Sequence, residues 1–449
     1  MHFTINSKRI HQAKSERKKV KLDYNIDNYK YITDDTTGIS DDTQFLLTVQ
    51  NRKYFDMLDN KPSYLTPIEL IEKWAVERLK VVGVTGTNGK TTVTAAIYSF
   101  LLDLGEKPAL LGTRGFFVND ERLEEKSMTT PSILHILSAM KIANEKECNY
   151  FIMEVSSHAI HQGRIEGLTF ALKVHTNVTS DHLDYHGTVE EYKRVKNSFF
   201  SDTSPKLLNK DDIKNIKYNP RGAQSYGVDE PATFKVQAFS LQHGITAGIK
   251  HLNTEATFHS PMVGLFNLFN LMAAIGSCVM LTGRNVAEVC EVVENFAGVA
   301  GRMEVVSRKP LVIVDFAHTD DGMIQVLDSM KDVDVSVVFG AGGDRDKGKR
   351  PKMGAVASKF AQKVYVTSDN PRSEEPETII KDILSGIKDQ THIRAMVDRA
   401  YAIQEALKEL KENEVLMILG KGDEDTMEIK GEKIHFDDRE VVRALLAEM

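Results

Sequence analysis

The sequence is poor in cysteine, and its three cysteines, Cys148, Cys278 and Cys290, are scattered without a Cys-x-x-Cys pair. A set this small and odd in number supports neither a disulfide framework nor a cysteine zinc site, and it fits a reducing compartment. Positive charge is not in excess either, because 57 Lys and Arg face 64 Asp and Glu, for a net charge of −7. That balance gives no reason to expect a nucleic acid or an anionic membrane as a partner.

Long apolar runs are scarce as well. The N-terminus lacks the apolar segment of a secretion signal, so we expect none. Residues 259–283 contain no Asp, Glu, Lys or Arg, and by this absence of charge alone they could be taken for a membrane helix. Because Pro261 and Gly264 interrupt that stretch, it predicts a turn followed by a buried helix. The basic residues from Lys8 to Lys21 predict a solvated edge, and the alternative is a surface for an anionic ligand such as a diphosphate.

The chain does contain a regular alternation of strand-like and helix-like segments. Residues 79–84 form an apolar run of strand length, and residues 93–104 follow with helical spacing. Residues 150–155 and 171–178 predict two further strands. This alternation is typical of an α/β protein with parallel sheets. It returns near the C-terminus in four predicted strands, at residues 311–316, 335–339, 363–367 and 415–419.

A glycine-rich segment, GVTGTNGKTT at residues 83–92, lies between the first predicted strand and its helix. Glycine there lets backbone N–H groups approach phosphate oxygens, and a helix N-terminus adds positive potential. Lys90 would neutralise phosphate charge, and Thr91 would offer a hydroxyl to Mg²⁺. The strict pattern GxxxxGK[ST] fails at Val84, and the alternative is a glycine-rich turn without a nucleotide. The predicted phosphate-binding residues are Gly86, Thr87, Asn88, Gly89, Lys90, Thr91 and Thr92.

Acidic and imidazole side chains follow the next two predicted strands. Glu154 lies at the end of residues 150–155, and Asp181 and His182 follow residues 171–178. A carboxylate and an imidazole at such strand ends suit Mg²⁺ bound jointly with phosphate, and the alternative for His182 is a structural role.

Lys196 occupies an unexpected face of a predicted helix. Residues 188–191, TVEE, have the spacing of a capping box, so we expect a helix to begin there. Tyr192, Val195 and Phe199 form its apolar stripe, and Lys196 lies on the same face. Either the lysine stem passes the stripe to reach water, or its head group has a function in a closed site.

Taken together, these motifs resemble the Mur ligase family, the cytoplasmic ATP-dependent amide ligases of peptidoglycan precursor synthesis. The likeness runs from about residue 79 to the C-terminus and rests on the segments TGTNGKTT, MEVSSH, TSDHLDYH, GAGGDRDKGKRP and DNPR. It implies ATP and two Mg²⁺ ions as cofactors, a cytoplasmic monomer, and no nucleic-acid or membrane partner. Within the family, the residues resemble the ligases that join meso-2,6-diaminopimelate to the D-glutamyl γ-carboxyl of UDP-N-acetylmuramoyl-L-Ala-D-Glu.

The resemblance also implies three α/β domains. We expect a small N-terminal α/β domain for the UDP-substrate at 1–77, a central ATP-binding domain with a P-loop ATPase-type parallel sheet at 78–301, and a C-terminal Rossmann-like amino-acid-binding domain at 302–449. The length of 449 residues suits that number of domains. Gly301 and Arg302 are the predicted hinge.

Roles for individual residues follow from the resemblance. Lys196 matches a lysine that is carbamylated in the family, a change that turns a cation into a carboxylate able to hold Mg²⁺. Glu154 and His182 match further metal positions, and Thr91 matches the loop hydroxyl. The implied catalytic residues are Lys90, Glu154, His182 and Lys196. The residues implied for the nucleoside side of ATP are Asn267, Arg302 and Asp315, and those implied for the muramoyl-dipeptide are Thr129, Thr130, Ser156, Gln162 and Arg164.

The motif Asp369-Asn370-Pro371-Arg372 implies diaminopimelate as the amino acid. A guanidinium fork suits a distal carboxylate better than an ammonium group, so lysine is disfavoured. Arg345 matches a second carboxylate-binding arginine, and Gly420 and Glu424 match positions that hold the other polar end of the amino acid. Asp423 stands where the usual Gly-Lys-Gly-His-Glu motif has His, and we expect only a local change from it.

The implied reaction is carboxylate activation by ATP through an acyl phosphate, followed by attack of the diaminopimelate amine. Two enzymes are alternatives, the lysine-adding sister ligase and the folylpolyglutamate synthetase. DNPR argues against the first, and TSDHLDYH with the muramoyl-peptide residues argues against the second. An alternative of another class is a non-ligating ATP-binding switch protein, and Arg345, Arg372 and Glu424 argue against it.

Overall fold

The computed structural model describes residues 21–125, 128–179, 183–242, 244–330 and 333–448. His182 and nearly all of the basic segment between Lys8 and Lys21 lie outside the described residues. The chain divides into two compact units. The first unit comprises Met1–Gly83 and Lys107–Ala171, and the second comprises Val84–Glu106 and Leu172–Met449.

The described residues form 23 strands and 14 α-helices. The strands are β1 (Leu22–Ile26), β2 (Tyr29–Thr33), β3 (Thr43–Leu46), β4 (Tyr64–Leu65), β5 (Lys80–Thr85), β6 (Pro108–Gly112), β7 (Gly115–Val118), β8 (Glu121–Glu124), β9 (Tyr150–Glu154), β10 (Phe170–His175), β11 (Lys206–Asn209), β12 (Ala223–Gly227), β13 (Phe234–Ser240), β14 (Ile245–His251), β15 (Thr254–Ser260), β16 (Glu304–Arg308), β17 (Leu311–Asp315), β18 (Val335–Phe339), β19 (Lys363–Val366), β20 (Ile393–Ala395), β21 (Val415–Leu419), β22 (Thr426–Ile429) and β23 (Glu432–His435). The α-helices are α1 (Arg52–Asp56), α2 (Pro67–Lys73), α3 (Lys90–Asp103), α4 (Ile133–Glu145), α5 (Ser157–His161), α6 (Leu183–His186), α7 (Val189–Phe199), α8 (Leu265–Thr282), α9 (Val286–Glu291), α10 (Asp320–Asp328), α11 (Lys349–Phe360), α12 (Pro376–Leu384), α13 (Arg399–Glu409) and α14 (Asp438–Glu448).

The first unit begins with a four-stranded sheet in the order β1-β2-β3-β4. β1 and β2 are antiparallel, whereas β2, β3 and β4 run parallel. Phe45, Leu47 and Phe55 form its small buried core. Helix α2 begins with Thr66 and Glu69, which cap each other in a capping box. The same unit contains a second run of strands in the order β5-β9-β6-β7-β8, in which β9 and β6 are parallel.

The second unit contains the strand order β15-β14-β13-β12-β11-β10-β5. β10 to β13 run parallel and β13 to β15 are antiparallel. Helix α8 packs closely on β11, because a Cβ added to Gly276 would lie 2.9 Å from Leu207 Cδ2. Among the described helices, α8 alone is long and apolar enough to cross a membrane, and 72% of it is buried within the protein. It begins directly after Gly264, which confirms the prediction of a turn followed by a buried helix.

The second unit also contains a six-stranded sheet in the order β16-β17-β21-β18-β19-β20. All neighbours are parallel except β16 and β17. One face packs against Met323 of α10, Met353 of α11 and Ile383 of α12. The other face packs against Leu407 of α13 and Val442 of α14. Helices therefore cover both faces of a mostly parallel sheet, as in doubly wound α/β folds.

The predicted α/β fold class is confirmed, and the predicted strands lie where apolar runs placed them. The four predicted C-terminal strands correspond to β17, β18, β19 and β21. Helix α3 begins three residues before the predicted start at residue 93, because the glycine-rich segment supplies its N-terminus. β10 ends at His175, three residues before the predicted end of the strand.

Candidate active site

The glycine-rich segment forms a tight loop between β5 and α3 in the second unit. A Cβ added to Gly86 would lie 1.8 Å from Thr176 Oγ1, and Gly89 has φ +85°, so neither position accepts a side chain without strain. Gly89 is the N-cap of α3 and offers no side-chain cap to the first helical turn. The loop therefore presents a helix N-terminus to an anion.

The segment after β10 braces this loop. Thr87 N donates to Asn177 O at 2.8 Å, and Asn88 N donates to Asn177 Oδ1 at 3.0 Å. Thr176 Oγ1 donates to Asn88 O at 2.6 Å. Our sequence reasoning missed Thr176 and Asn177, and the available signal was two polar residues at the end of an apolar run. These contacts fix the conformation of the loop backbone.

Lys90 holds the loop from its C-terminal side. Its Nζ donates to Gly86 O and to Thr87 O, both at 2.8 Å. The ammonium group therefore lies within the loop, a position that suits an anion at the helix N-terminus.

Lys196 is buried on the apolar face of α7, with a relative exposure of 1%. Its Nζ lies 3.4 Å from Thr85 Oγ1 and 5.0 Å from the centre of the Tyr192 ring. The Tyr192 hydroxyl lies 2.9 Å from Thr87 Oγ1, so the helix face that carries Lys196 contacts the phosphate loop. The head group is thus enclosed beside the loop and does not reach solvent.

A cleft in the second unit brings together the three residues predicted for the nucleoside side of ATP. Asn267, Arg302 and Asp315 line it, and Gly89 and Thr92 of the phosphate loop line it too. Asp315 accepts hydrogen bonds from Met303 N at 2.8 Å and Ala317 N at 2.7 Å. Burial raises the pKa of Asp315, and the nearby Arg302 guanidinium opposes that rise.

The residues predicted for the amino acid gather at the carboxyl end of the six-stranded sheet. Arg345 and Arg372 both lie close to Gly342, because a Cβ added there would lie 2.9 Å from Arg372 Nη1 and 3.6 Å from Arg345 Cγ. Asn370 Nδ2 donates to Glu424 Oε2 at 2.8 Å. Two arginines and a carboxylate therefore stand within one short stretch of surface, a charge pattern that suits an amino acid with two carboxylates.

The backbone of these loops is tightly constrained. Gly420 has φ +114°, and a Cβ added to it would lie 2.6 Å from Asp369 Oδ2. Arg372 has φ +53° and is paired by its backbone with the hairpin β22–β23. Its Nη1 donates to Gly343 O at 2.7 Å, and its Nε lies 3.5 Å from Glu428 Oε2.

The buried Lys421 was missed by the sequence reasoning. Its Nζ lies 3.2 Å from Glu424 Oε2 and donates to Thr426 O at 2.7 Å. Asp423 is the departure from the usual motif. Its backbone passes close to that of Gly301, because a Cβ added to Gly301 would lie 2.0 Å from Asp423 N.

Glu154 belongs to the first unit and is 2% exposed at the end of β9. Thr113 N donates to Glu154 Oε1 at 2.8 Å, and Thr113 Oγ1 donates to Oε2 at 3.2 Å. Two donors on one residue thus orient the buried carboxylate. Thr113 was missed because it belongs to no motif.

The first unit also brings together the residues predicted for the muramoyl-dipeptide. Arg164 Nη1 donates to Thr130 O at 2.7 Å, and Arg164 Nη2 donates to Gln162 Oε1 at 2.6 Å. Ser156 N donates to Thr130 Oγ1 at 3.0 Å. Thr129 joins this group through Thr113, whose Oγ1 lies 3.3 Å from Thr129 Oγ1.

The first unit has a cleft of its own, which lies beside these residues. Gln50 Nε2 lies 3.4 Å from Gln162 Oε1, and Val49 N donates to Glu166 Oε2 at 3.0 Å. The sequence carried no motif for this cleft. Its lining residues are Asp34, Asp35, Thr36, Thr48, Gln50, Asn51 and Tyr54.

The donor chemistry fits Mg²⁺. Carboxylate and hydroxyl oxygens are ligands that this ion prefers; Glu154 offers a carboxylate in the first unit, and Thr91 offers a hydroxyl in the second. A lysine amine is a poor ligand, whereas a carbamate on the enclosed Lys196 would be an oxygen ligand. Within the described ranges, no three His, Cys, Asp or Glu side chains are grouped as a ready metal site. The predicted ligand His182 lies outside those ranges.

Comparison with known proteins finds the same family from two directions. The model of the Mur ligase middle domain matches residues 84–278, and that of the Mur ligase glutamate ligase domain matches residues 301–422. The UDP-N-acetylmuramoyl-L-alanyl-D-glutamate–2,6-diaminopimelate ligase of Wolinella succinogenes is 50% identical over 94% of this chain and 98% of that protein. The ligase of the same name from Helicobacter pylori is 47% identical over 94% of this chain and 97% of its own length.

Solved structures agree. A structure of a UDP-N-acetylmuramoyl-L-alanyl-D-glutamate–2,6-diaminopimelate ligase aligns with a TM-score of 0.66 and 28% identity, over 93% of this chain and 94% of that one. The folylpolyglutamate synthase of Mycobacterium tuberculosis, complexed with ADP, aligns with a TM-score of 0.63 over 79% of this chain and 91% of that one. At 16% identity the latter shows a shared fold alone. The phosphate loop, the paired arginines and these matches lead to one conclusion: the chain belongs to the Mur ligase family.

Proposed function

We propose that this protein is an ADP-forming ligase that joins meso-2,6-diaminopimelate to the D-glutamyl γ-carboxyl of UDP-N-acetylmuramoyl-L-Ala-D-Glu in peptidoglycan precursor synthesis. Relatives with that name at 47% and 50% identity support the reaction. The observation that carries the choice of amino acid is that Arg345 and Arg372 both lie close to Gly342. Diaminopimelate has two carboxylates, and each guanidinium can bind one of them in a forked geometry.

ATP binds in the second unit. Backbone N–H groups of residues 86–92 and the Lys90 ammonium group hold its phosphates, and the cleft at Asn267, Arg302 and Asp315 takes the nucleoside. The buried Asp315 accepts two backbone hydrogen bonds, which hold the strand-end turn on which this cleft depends. Lys90 offsets the negative charge that repels an attacking carboxylate.

The muramoyl-dipeptide binds in the first unit. Thr129, Thr130, Ser156, Gln162 and Arg164 are its proposed ligands, and Arg164 is held for this purpose by Thr130 and Gln162. We assign the uridine diphosphate end of the substrate to the neighbouring cleft lined by Asp34, Thr36 and Asn51. Gln50 joins the cleft to the dipeptide residues through Gln162.

The reaction has two steps. A γ-carboxylate oxygen of the D-glutamyl residue attacks the γ-phosphorus of ATP, and the bond to the bridging oxygen breaks to release ADP. The diaminopimelate amine then attacks the acyl phosphate carbon, loses a proton and expels inorganic phosphate. Positioning and charge neutralisation supply most of the catalysis in phosphoryl transfer, so no nucleophilic side chain is needed.

We assign two Mg²⁺ ions as cofactors. The residues proposed as ligands are Glu154 in the first unit and Thr91, His182 and a carbamate on Lys196 in the second. When bound, the ion neutralises phosphate oxygens and orients the transferring group. Thr113 keeps the Glu154 carboxylate in one orientation through its two hydrogen bonds. Burial of Lys196 beside Thr85 supports the carbamate, because an enclosed amine that reacts with CO₂ becomes an anion suited to a cation site.

The protein acts in the cytoplasm in this proposal, where ATP and the UDP-linked precursor occur together. The residues assigned to all three substrates belong to one chain, which supports a monomer as the active unit. Arg302 and Gly301 are the proposed hinge for closure around the substrates.

The decisive assay is ADP release with the muramoyl-dipeptide substrate and each of three amino acids. We expect meso-diaminopimelate to support turnover and lysine and glutamate to support little. A preference for lysine would identify the lysine-adding sister activity. A rate of ADP release that does not depend on the muramoyl-dipeptide or on the amino acid would instead indicate a non-ligating ATP-binding protein.

A further inference from the structure

A fully buried ion pair lies beneath the amino-acid loops of the second unit. Arg399 is the first residue of α13, and Asp438 is the first residue of α14. Both side chains have 0% exposure. Arg399 Nε donates to Asp438 Oδ1 at 2.7 Å, and Nη2 donates to Oδ2 at 2.8 Å. The pair is therefore bidentate, the geometry that compensates burial of two charges best.

The same guanidinium also binds two backbone carbonyl oxygens. Arg399 Nη1 donates to Ser368 O at 3.1 Å, and Nη2 donates to Leu419 O at 3.0 Å. Ser368 directly precedes Asp369, and Leu419 directly precedes Gly420. The two carbonyls are thus the last groups before the two loops that are assigned to the amino acid.

The sheet itself does not join these two loops. β19 and β21 are separated by β18 in the strand order, so no ladder hydrogen bond runs between them. Asn370 and Glu424 meet across the gap through one side-chain hydrogen bond of 2.8 Å. In addition to that contact and to the pairing of Arg372 with the hairpin β22–β23, Arg399 spans β18 and binds both loop origins.

The charge of Arg399 supports the same loops. Burial lowers the pKa of Arg399. The negative charge of Asp438 and, to a smaller extent, those of Asp369 and Glu424 raise it, and the pKa is raised overall. The guanidinium charge therefore interacts with Asp369 and Glu424 as well as with Asp438. Both carboxylates belong to the proposed amino-acid site.

We propose that Arg399 and Asp438 are positioning residues for amino-acid recognition, which hold the loops at 369–372 and 420–424 at the separation that diaminopimelate requires. The inference rests on the proposed function, because it concerns the same site. Neither residue contacts the substrate, so the effect of their loss is confined to how well the two loops fit the amino acid.

The test uses a double variant, Arg399→Met with Asp438→Leu, which removes the ion pair without leaving an unpaired buried charge. Apolar replacement of a buried ion pair commonly preserves folding. We expect the KM for diaminopimelate to rise on the order of 10- to 100-fold, since displacements near 1 Å have such effects. The KM values for ATP and for the muramoyl-dipeptide should stay near those of the wild type.

The matched control is Arg394→Met, which removes a half-exposed ion pair with Glu405 at the sheet edge. It should change none of the three KM values. Arg399→Lys serves as a second variant should the double variant fail to fold, because it keeps the charge but cannot bind both carbonyls and Asp438. It should raise the diaminopimelate KM selectively but by less.

Hydrogen exchange separates this inference from the proposed function. Amides of residues 367–372 and 419–424 should exchange faster in the double variant than in the wild type or the control, whatever the amino acid used. Failure of the wild type to release ADP with diaminopimelate would overturn the proposed function alone. A folded variant with an unchanged diaminopimelate KM, an equal rise in all three KM values, or unchanged exchange in both loops would overturn the positioning role.

Discussion

Replacing Arg372 by lysine keeps the positive charge and removes the forked geometry. In the structure, Arg372 Nη1 donates to Gly343 O at 2.7 Å and Nε lies 3.5 Å from Glu428 Oε2. The guanidinium is therefore anchored on two sides, and its remaining N–H groups are available to a carboxylate. A lysine head has three donors on one atom and cannot hold Gly343 and present two parallel donors at once.

The size of the effect follows from the bond that is lost. A hydrogen bond to a charged group contributes about 1.5–3 kcal/mol, and lysine forfeits one of the two parallel bonds to the carboxylate. At about 1.4 kcal/mol per factor of ten, kcat/KM for diaminopimelate should fall by roughly 10- to 150-fold. Lysine as a substrate lacks the distal carboxylate, so its low kcat/KM should stay unchanged.

The assay measures ADP release at a range of concentrations of each amino acid, with ATP and the muramoyl-dipeptide in excess. Arg394→Lys is the control, because it makes the same exchange at a surface ion pair of the same sheet. An equal loss with diaminopimelate and lysine, or no loss with diaminopimelate, would refute the role assigned to Arg372.

Three further predictions concern other parts of the protein. Gly86→Ala should abolish ATP-dependent turnover in a folded protein, because the added Cβ would lie 1.8 Å from Thr176 Oγ1; ADP release near the wild-type rate would contradict the close approach that we infer. Lys196→Met should remove activity, and wild-type activity should fall after removal of CO₂ and return with bicarbonate; insensitivity to bicarbonate together with an active variant would exclude the carbamate. Hydrogen bonding to Arg350 holds the pKa of Glu374 at about 2, below the ordinary 4.5 of glutamate. A lowered pKa in the folded state stabilises the protein above pH 4.5 and is lost as the pH falls towards 2, so Tm should fall across that window and Glu374→Gln should weaken the dependence. Identical Tm profiles for the wild type and Glu374→Gln would contradict this.

Local patterns predicted much of the fold and of the site. Apolar runs located β5, β9 and β10, since buried parallel strands need continuous apolar side chains. The loop between β5 and α3 was predictable because its glycines lie close together in the sequence. Lys196 was predictable as well, because helical spacing alone places it among Tyr192 and its buried neighbours.

Contacts between distant parts of the chain were not predictable in this way. The Arg399–Asp438 pair joins residues 39 apart that belong to no motif. The predicted strand at residues 171–178 was too long, because Thr176 and Asn177 leave the ladder to bind the phosphate loop. The strands of the sheet β1-β2-β3-β4 escaped prediction because they mix polar and apolar residues, whereas the predicted strands of similar length are continuous apolar runs.

Isotope transfer from the substrate carboxylate shows whether an acyl phosphate forms. The D-glutamyl γ-carboxylate is labelled with ¹⁸O, and the products of a reaction with ATP and meso-diaminopimelate are analysed by mass spectrometry. If the carboxylate attacks the γ-phosphate of ATP, we expect ADP, the tripeptide product and one ¹⁸O atom in each molecule of inorganic phosphate. Label found in AMP, or phosphate that carries no label, would contradict activation through an acyl phosphate.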